Sequence, residues 1–251
     1  MTVPRVRRQE ALMGTVATVE LGDPVPDMGV VDAVFAWLHE VDARFSTFRA
    51  DSEVNRLDRG ELSLDSCSTD LRYVVDECAR LWRETDGYFD VYATGRLDPS
   101  GYVKGWSVQR ASQLLTTAGA TSHVVDAGGD IQARQSPGSA ELWEIGVRHP
   151  WEHDKVAWVL AGTDLAVATS GTYERGNHVI DPRTGAPASE LVSVTVVGRD
   201  LSDADAYATA ALAMGRACLD WLPRLRGYSS AVVAADRSCY VSEGFPLAAL
   251  R

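Results

Sequence analysis

Apolar positions along this chain repeat with two different periods. Across residues 27–45, Val30, Val31, Val34, Phe35, Leu38, Val41 and Phe45 recur at intervals of three and four, which predicts an amphipathic helix. A second helix is predicted from Ser68 or Thr69 as N-cap. It carries Leu71, Val74, Val75, Cys78, Leu81 and Trp82 on one face and ends near Gly87. A third spans roughly 105–118, with Gly119 as its stop. Residues 14–22 alternate like a strand. Beyond the third helix the period shortens, and 123–126, 143–148, 156–161, 165–168, 178–180 and 192–197 are β-rich runs bounded by Gly, Pro, Asp or Asn. Ser202 is read as the cap of a small-residue helix reaching Met214. A further helix is predicted over 218–225 and a last strand over 230–234. Helices near both ends with strands between them predict an α+β fold. Regular βαβ alternation is the weaker reading, since no strand runs into a G-x-G-x-x-G turn.

Composition narrows the class. The chain has 251 residues, 45% of them hydrophobic, and at that length it can bury roughly 70–75% of its unfolded surface without disulfides or a structural metal. It is too apolar for a disordered chain. No apolar run approaches the ~20 residues of a membrane-spanning helix. With 24 basic against 35 acidic residues the net charge is −11, which argues against non-specific nucleic-acid binding. The cysteines, Cys67, Cys78, Cys218 and Cys239, form no C-x-x-C pair and have no His-rich segment beside them, so a zinc site is not expected. The N-terminal segment has positive charge but neither an apolar signal core nor a lipid-attachment cysteine, and the cytoplasm is the expected location.

Several segments carry candidate chemistry, each with a plainer reading beside it. In Asp203-Ala204-Asp205-Ala206-Tyr207-Ala208-Thr209, Asp205 and Thr209 share one helix face. A carboxylate and a hydroxyl there can hold a hard cation such as Mg²⁺; equally, aspartates favour a helix start. In Val125-Asp126-Ala127-Gly128-Gly129-Asp130 the paired glycines suit either close approach to a ligand or a hairpin turn. The Asn177–Gly185 run, N-H-V-I-D-P-R-T-G, sets His178 before a D-P-R-T-G turn. Gly101-Tyr102-Val103-Lys104-Gly105-Trp106 places one of only two lysines between glycines, without P-loop spacing.

Taken in order, these segments resemble the FAD:protein FMN transferase family, also called the ApbE or thiamine-biosynthesis-lipoprotein family. The likeness runs from Met13 to Gly215. It includes Met13-Gly14-Thr15, the F-S-T-F-R-A-D-S-E run from Phe45, Thr85-Asp86-Gly87-Tyr88-Phe89-Asp90, Asp98 with the segment Gly101 to Gly105, D-A-G-G-D-I, S-G-T-Y-E-R, H-V-I-D-P-R-T-G and D-A-Y-A-T. The resemblance implies one ApbE-like (T-fold-like) α+β domain over residues 1–251, its central, mostly antiparallel sheet flanked by helices. That domain can be viewed as two closely packed lobes with an FAD cleft between them. It also implies a Mg²⁺-dependent enzyme that moves FMN from FAD to a threonine hydroxyl of an acceptor flavoprotein and releases AMP. By family match Asp205, Thr209 and the backbone carbonyl of Gly101 are metal ligands, Asp205 and His178 are catalytic, and His178 takes the acceptor threonine's proton. Met13, Phe48, Tyr88, Phe89, Asp90, Asp98, Lys104 and Val179 fall on flavin and nucleotide contact positions.

The chain departs from the family pattern in three places. Phe48 stands where tyrosine is usual, the insertion between Asp90 and Asp98 is missing, and Gln109 replaces a common aspartate. Two other functions fit the same residues: an FAD diphosphatase releasing FMN and AMP, and an FAD-binding protein without chemistry. The Ala118–Thr121 tetrapeptide A-G-A-T looks like the end of an acceptor motif, but the preferred reading is a helix stop feeding a strand, so self-modification of Thr121 is not expected.

Overall fold

The computed structural model describes residues 6–22, 27–152, 154–172 and 179–249. In chain order its elements are β1 (Val6–Leu12), β2 (Thr15–Leu21), α1 (Gly29–Phe45), α2 (Glu53–Asp58), α3 (Thr69–Glu84), α4 (Ser100–Thr117), β3 (His123–Ala127), β4 (Asp130–Arg134), β5 (Trp143–Arg148) and β6 (Val156–Gly162). They continue with β7 (Asp164–Gly171), β8 (Leu191–Gly198), α5 (Leu201–Met214), α6 (Cys218–Trp221), β9 (Tyr228–Ala234) and β10 (Cys239–Val241). Eight strands form one sheet in the order β1-β2-β3-β4-β7-β8-β9-β10, and β5 pairs with β6 separately. The strand pairs are antiparallel throughout. The predicted α+β fold with a central antiparallel sheet and flanking helices is therefore observed.

The sheet is covered on both faces. Ala166, Ala168, Val194, Val196, Val232 and Ala234 point into a core shared with the helices. From the same strands Leu165, Val167, Val197 and Ala231 point the other way, onto Trp143, Ile145, Val147 and Leu160 of the β5–β6 hairpin. Two-sided burial explains why β8, with the sequence LVSVTVVG, reads as a nearly continuous apolar run rather than an alternation. On the helical side α5 lies against β7, β8 and α4. Its alanines are buried on every side, including Ala204, Ala206, Ala208, Ala210 and Ala211. A helix apolar all round belongs inside a core, and small side chains let it lie close to the sheet.

Several boundaries differ from the sequence reading. Helix α3 ends at Glu84 rather than near Gly87, because Asp86 and Gly87 turn left-handed and the Gly87 N–H reaches back to the Trp82 carbonyl at 2.7 Å. Helix α4 begins at Ser100, about five residues before the predicted start, so Gly101, Lys104 and Gly105 all lie on helix. The cap of α5 is Asp200, whose side chain accepts from the Asp203 N–H, not Ser202. The helix predicted over 218–225 is α-helical only to Trp221 and tightens to 3₁₀ over Leu222–Arg224 around Pro223. Of the strand predicted at 178–180, His178 lies outside the described residues and Ile180 makes only an isolated bridge to Pro187.

Candidate functional site

Two hairpin turns meet at one end of the sheet. Met13-Gly14 joins β1 to β2 and Gly128-Gly129 joins β3 to β4, each a two-residue loop. All four residues have positive φ: 53° and 70° in the first turn, 62° and 92° in the second. This is the primed geometry that matches strand twist. A β-carbon on Gly128 would stand 2.7 Å from Thr15 Oγ1, so the turns pack side by side. Methionine in this conformation costs of order 1 kcal/mol or more. The turn sets the Met13 side chain against the core, with Sδ 3.9 Å from Ser107 Oγ.

Asp130, the residue just after the second turn, is 1% exposed, and its carboxylate meets the Lys104 ammonium at 2.9 Å. The hairpin reading of D-A-G-G-D is thus correct for the glycines. It missed that the turn also delivers a buried carboxylate.

Asp205, 2% exposed, enters from α5 and accepts the Gly105 N–H at 2.9 Å. That bond requires α4 and α5 to approach closely. A β-carbon on Gly105 would stand 2.5 Å from the Leu201 carbonyl oxygen and 2.8 Å from Asp205 Cβ. One turn along α5, Thr209 Oγ1 lies 3.1 Å from Ser170 Oγ on β7. It would lie 2.9 Å from a β-carbon on Gly101, with Phe89 Cε2 at 3.3 Å. Gly101, Asp205 and Thr209 are therefore brought together, with Lys104, Asp130 and Ser170 around them.

Two buried carboxyl groups, Asp205 and Asp130, hydrogen-bond to each other and face one fixed cation, Lys104. Burial, and after it the charge of Asp130, push the Asp205 carboxyl well above the ordinary carboxylate range, while Lys104 and the Gly105 N–H oppose this. Asp130 is also raised by burial, against the pull of Lys104 and the Thr169 backbone. The raised carboxyl holds its proton unless a second cation is present, and an ion bound at this place would displace that proton. The donors at hand are carboxylate, hydroxyl and backbone oxygens, the set that suits a hard ion such as Mg²⁺. Among the described residues no three His, Cys, Asp or Glu side chains gather as a metal site, so an ion held here would rest on hydroxyl and backbone oxygens as much as on carboxylate.

Of the other expected contact positions, Phe89 and Met13 pack against α4 beside this cluster. Phe48 is 92% exposed, at the tip of a loop tied down by Asn55, whose side-chain amide donates to the carbonyls of Ser46, Thr47 and Arg49. Tyr88 is half-buried beneath the Arg183 guanidinium, 4.2 Å from the ring centroid, and Arg183 also pairs with Asp86 at 2.5 Å. Arg183 thereby joins the D-P-R-T-G turn to the T-D-G-Y-F-D segment, a link the sequence reading did not foresee. Phe89 is buried under Gly101. The carboxylates of Asp90 and Asp98 accept from the backbone of Tyr92 and Ser100. The short stretch between them is closed by Asp98 N–H to Val91 O at 2.8 Å. With Trp82, Tyr92 and Leu97, Asp90 lines a cleft of about 660 Å³. Val179 packs on the core edge, its carbonyl accepting from Ala188.

The chain is similar to known proteins in sequence and in fold. A "FAD:protein FMN transferase" of Rhodobacter capsulatus is 37% identical over 138 residues, which cover 52% of this chain and 26% of that protein. One from Vibrio cholerae is 28% identical over 237 residues, 71% of each chain. The aligned stretch thus spans well under two thirds of the first of these relatives. Among solved structures, the ApbE protein of Thermotoga maritima has a TM-score of 0.83 at 21% identity, covering 96% of this chain and 98% of that one. The flavin transferase ApbE from Vibrio cholerae has a TM-score of 0.80 at 23% identity, covering 96% and 99%. These two likenesses establish the shared fold. The sequence profile of the ApbE family matches residues 13–95 and 92–232, so the chain belongs to the ApbE family.

Proposed function

We propose that this protein is a Mg²⁺-dependent FAD:protein FMN transferase, moving FMN from FAD to a threonine hydroxyl of an acceptor flavoprotein and releasing AMP. The observation that carries the reading is the buried Asp205 carboxylate, set against Asp130 and Lys104 and one helical turn from Thr209. Family membership and the names of the relatives support it.

In this reading Asp205, Thr209 and the Gly101 carbonyl hold the ion, and Asp130 fixes Lys104 toward the same place. When bound, Mg²⁺ supplies charge neutralisation at the phosphate oxygens, the main demand of phosphoryl transfer. Lys104 adds a fixed positive charge for the pyrophosphate. Met13, Phe48, Tyr88, Phe89, Asp90, Asp98 and Val179 contact the flavin and nucleotide, aromatic faces suiting flat rings. The acceptor oxygen bonds to the FMN-side phosphorus, the bond from that phosphorus to AMP breaks, and His178 takes the threonine proton. His178 lies outside the described residues, and its role rests on its place in the H-V-I-D-P-R-T-G segment.

The test is incubation with FAD and Mg²⁺, with and without a threonine-containing acceptor polypeptide, followed by assay of AMP and covalent flavin. Flavin on the acceptor with matching AMP is expected. AMP without covalent flavin would instead make the protein an FAD diphosphatase, and FAD binding without either product a carrier. His178→Ala is expected to slow transfer by ~10²–10⁴-fold while leaving FAD affinity near that of the parent.

A further inference from the structure

We propose that Gln109 is a positioning residue, which sets the place of the Asp205 carboxylate by holding the first turn of α5 against α4. The inference rests on the reading of Asp205 as the carboxylate that meets the cation. Gly101, Gly105 and Gln109 follow one another at intervals of four and so form one stripe of α4. The two glycines are the positions where α5 comes too close for a β-carbon. At the third position the side chain spans the gap: Gln109 Oε1 accepts the Leu201 N–H at 2.6 Å, and its Nε2 donates to Asp200 Oδ2 at 2.8 Å.

The amide suits this place because of what a helix start lacks. The first N–H groups of a helix have no partner within it, and an N-cap side chain reaches only the second or third helical residue. Here Asp200 Oδ1 accepts from Asp203 N–H at 3.1 Å and leaves Leu201 N–H unserved. Leu201 is fully buried, so that donor cannot turn to water. Gln109 gives it an acceptor and at the same time offers a donor to the cap itself. A carboxylate at position 109 could accept from Leu201 but would face the Asp200 carboxylate with like charge. Leu201 is then held from both sides, its N–H by Gln109 and its carbonyl against Gly105, one turn before Asp205 accepts the Gly105 N–H.

The test uses a charge reversal and its rescue, read as metal binding rather than turnover. Gln109→Glu keeps the acceptor and replaces the donor with an anion. Asp200→Asn keeps a good N-cap and can donate to that anion. Mn²⁺ is titrated into the FAD complex of each variant, with free ion counted by electron paramagnetic resonance and Tm recorded alongside. Gln109→Glu is expected to weaken Mn²⁺ binding about tenfold or more, the scale seen when a partner of a metal ligand is lost. Asp200→Asn alone turns an amide donor toward the Gln109 amide donor and should weaken binding, though less than Gln109→Glu because the Leu201 bond stays. The double variant should return to within about threefold of the parent. If Gln109→Glu does not fold, Gln109→Met removes both bonds without adding charge and carries the same tenfold expectation. Parent-like Mn²⁺ binding by a folded Gln109 variant, or a double variant no better than Gln109→Glu, overturns the inference. Asp205→Asn is titrated in parallel: its losing Mn²⁺ while the Gln109 variants keep it overturns the positioning role alone. Parent-like binding by Asp205→Asn overturns the cation reading and the positioning role with it.

Discussion

The Gly105 amide donates to the Asp205 carboxylate at 2.9 Å across the contact between α4 and α5. The same contact leaves no room for a side chain on residue 105, where a β-carbon would meet the Leu201 carbonyl at 2.5 Å. Helix propensity favours alanine over glycine by about 1 kcal/mol. Here that gain is outweighed, because the obstructing atom is backbone and cannot swing away. Gly105→Ala is expected to destabilise the protein by about 2 kcal/mol through overpacking, seen as a fall in Tm of several degrees. A Tm equal to or above that of the parent would mean that the helices separate more easily than the contact implies.

His123 gives a pH dependence with a definite sign. Its ring is fully buried, with Nδ1 2.7 Å from the Ala120 carbonyl and Nε2 2.7 Å from Ser112 Oγ. This fixes a neutral tautomer, Nδ1 donating and Nε2 accepting the hydroxyl proton. Burial lowers its pKa from 6.5 to about 4, the Ala120 bond opposing. The unfolded chain therefore binds the proton first. Stability from this group is complete above pH 6.5 and falls as the pH drops toward 4, by about 3 kcal/mol at most. Denaturant melts at pH 7 and pH 5 should show the loss, and His123→Gln, which does not titrate, should flatten it. Equal slopes in the two proteins would contradict this account of His123.

Thr121 is not expected to become flavinylated. Its hydroxyl is exposed but lies 2.8 Å from Ser136 Oγ, on the turn between α4 and β3. Ala120 behind it is buried, and its carbonyl is held by His123. To enter a cleft as an acceptor, this turn would have to leave the sheet. Intact mass after incubation with FAD and Mg²⁺ should show no added FMN; an FMN adduct abolished by Thr121→Ala would contradict this.

What the sequence revealed depended on whether one element sufficed to make the pattern. Helices α1 and α3 each carry a stripe that faces one core, and both were legible. Strand β1, with the sequence VRRQEAL, was not, because as an edge strand it buries only Leu12. Strand β4 was hidden by a buried polar residue, since Gln132 satisfies its amide on Asp164 and the Leu165 carbonyl. The early start of α4 was missed because Gly101 and Gly105 read as helix breakers. Their purpose appears only when α5 is laid beside them. In the same way Asp205 and Thr209 could be paired from their spacing on one helix. Asp130 and Gln109 take their meaning from partners on other elements, Lys104 for one, Asp200 and Leu201 for the other.

The most direct test of the proposed activity is the mass of a threonine-containing acceptor after incubation with FAD, Mg²⁺ and either the parent or Asp205→Asn. Asparagine keeps an acceptor for the Gly105 N–H and removes a buried charge that burial and Asp130 both oppose. The variant should therefore melt at or above the parent's Tm. A buried group that stabilises transition-state charge is worth ~10²–10³ in rate, so transfer should fall by at least that factor. The account predicts an acceptor carrying one FMN with the parent and an unmodified acceptor with a fully folded Asp205→Asn. Equal flavinylation by both proteins would contradict it.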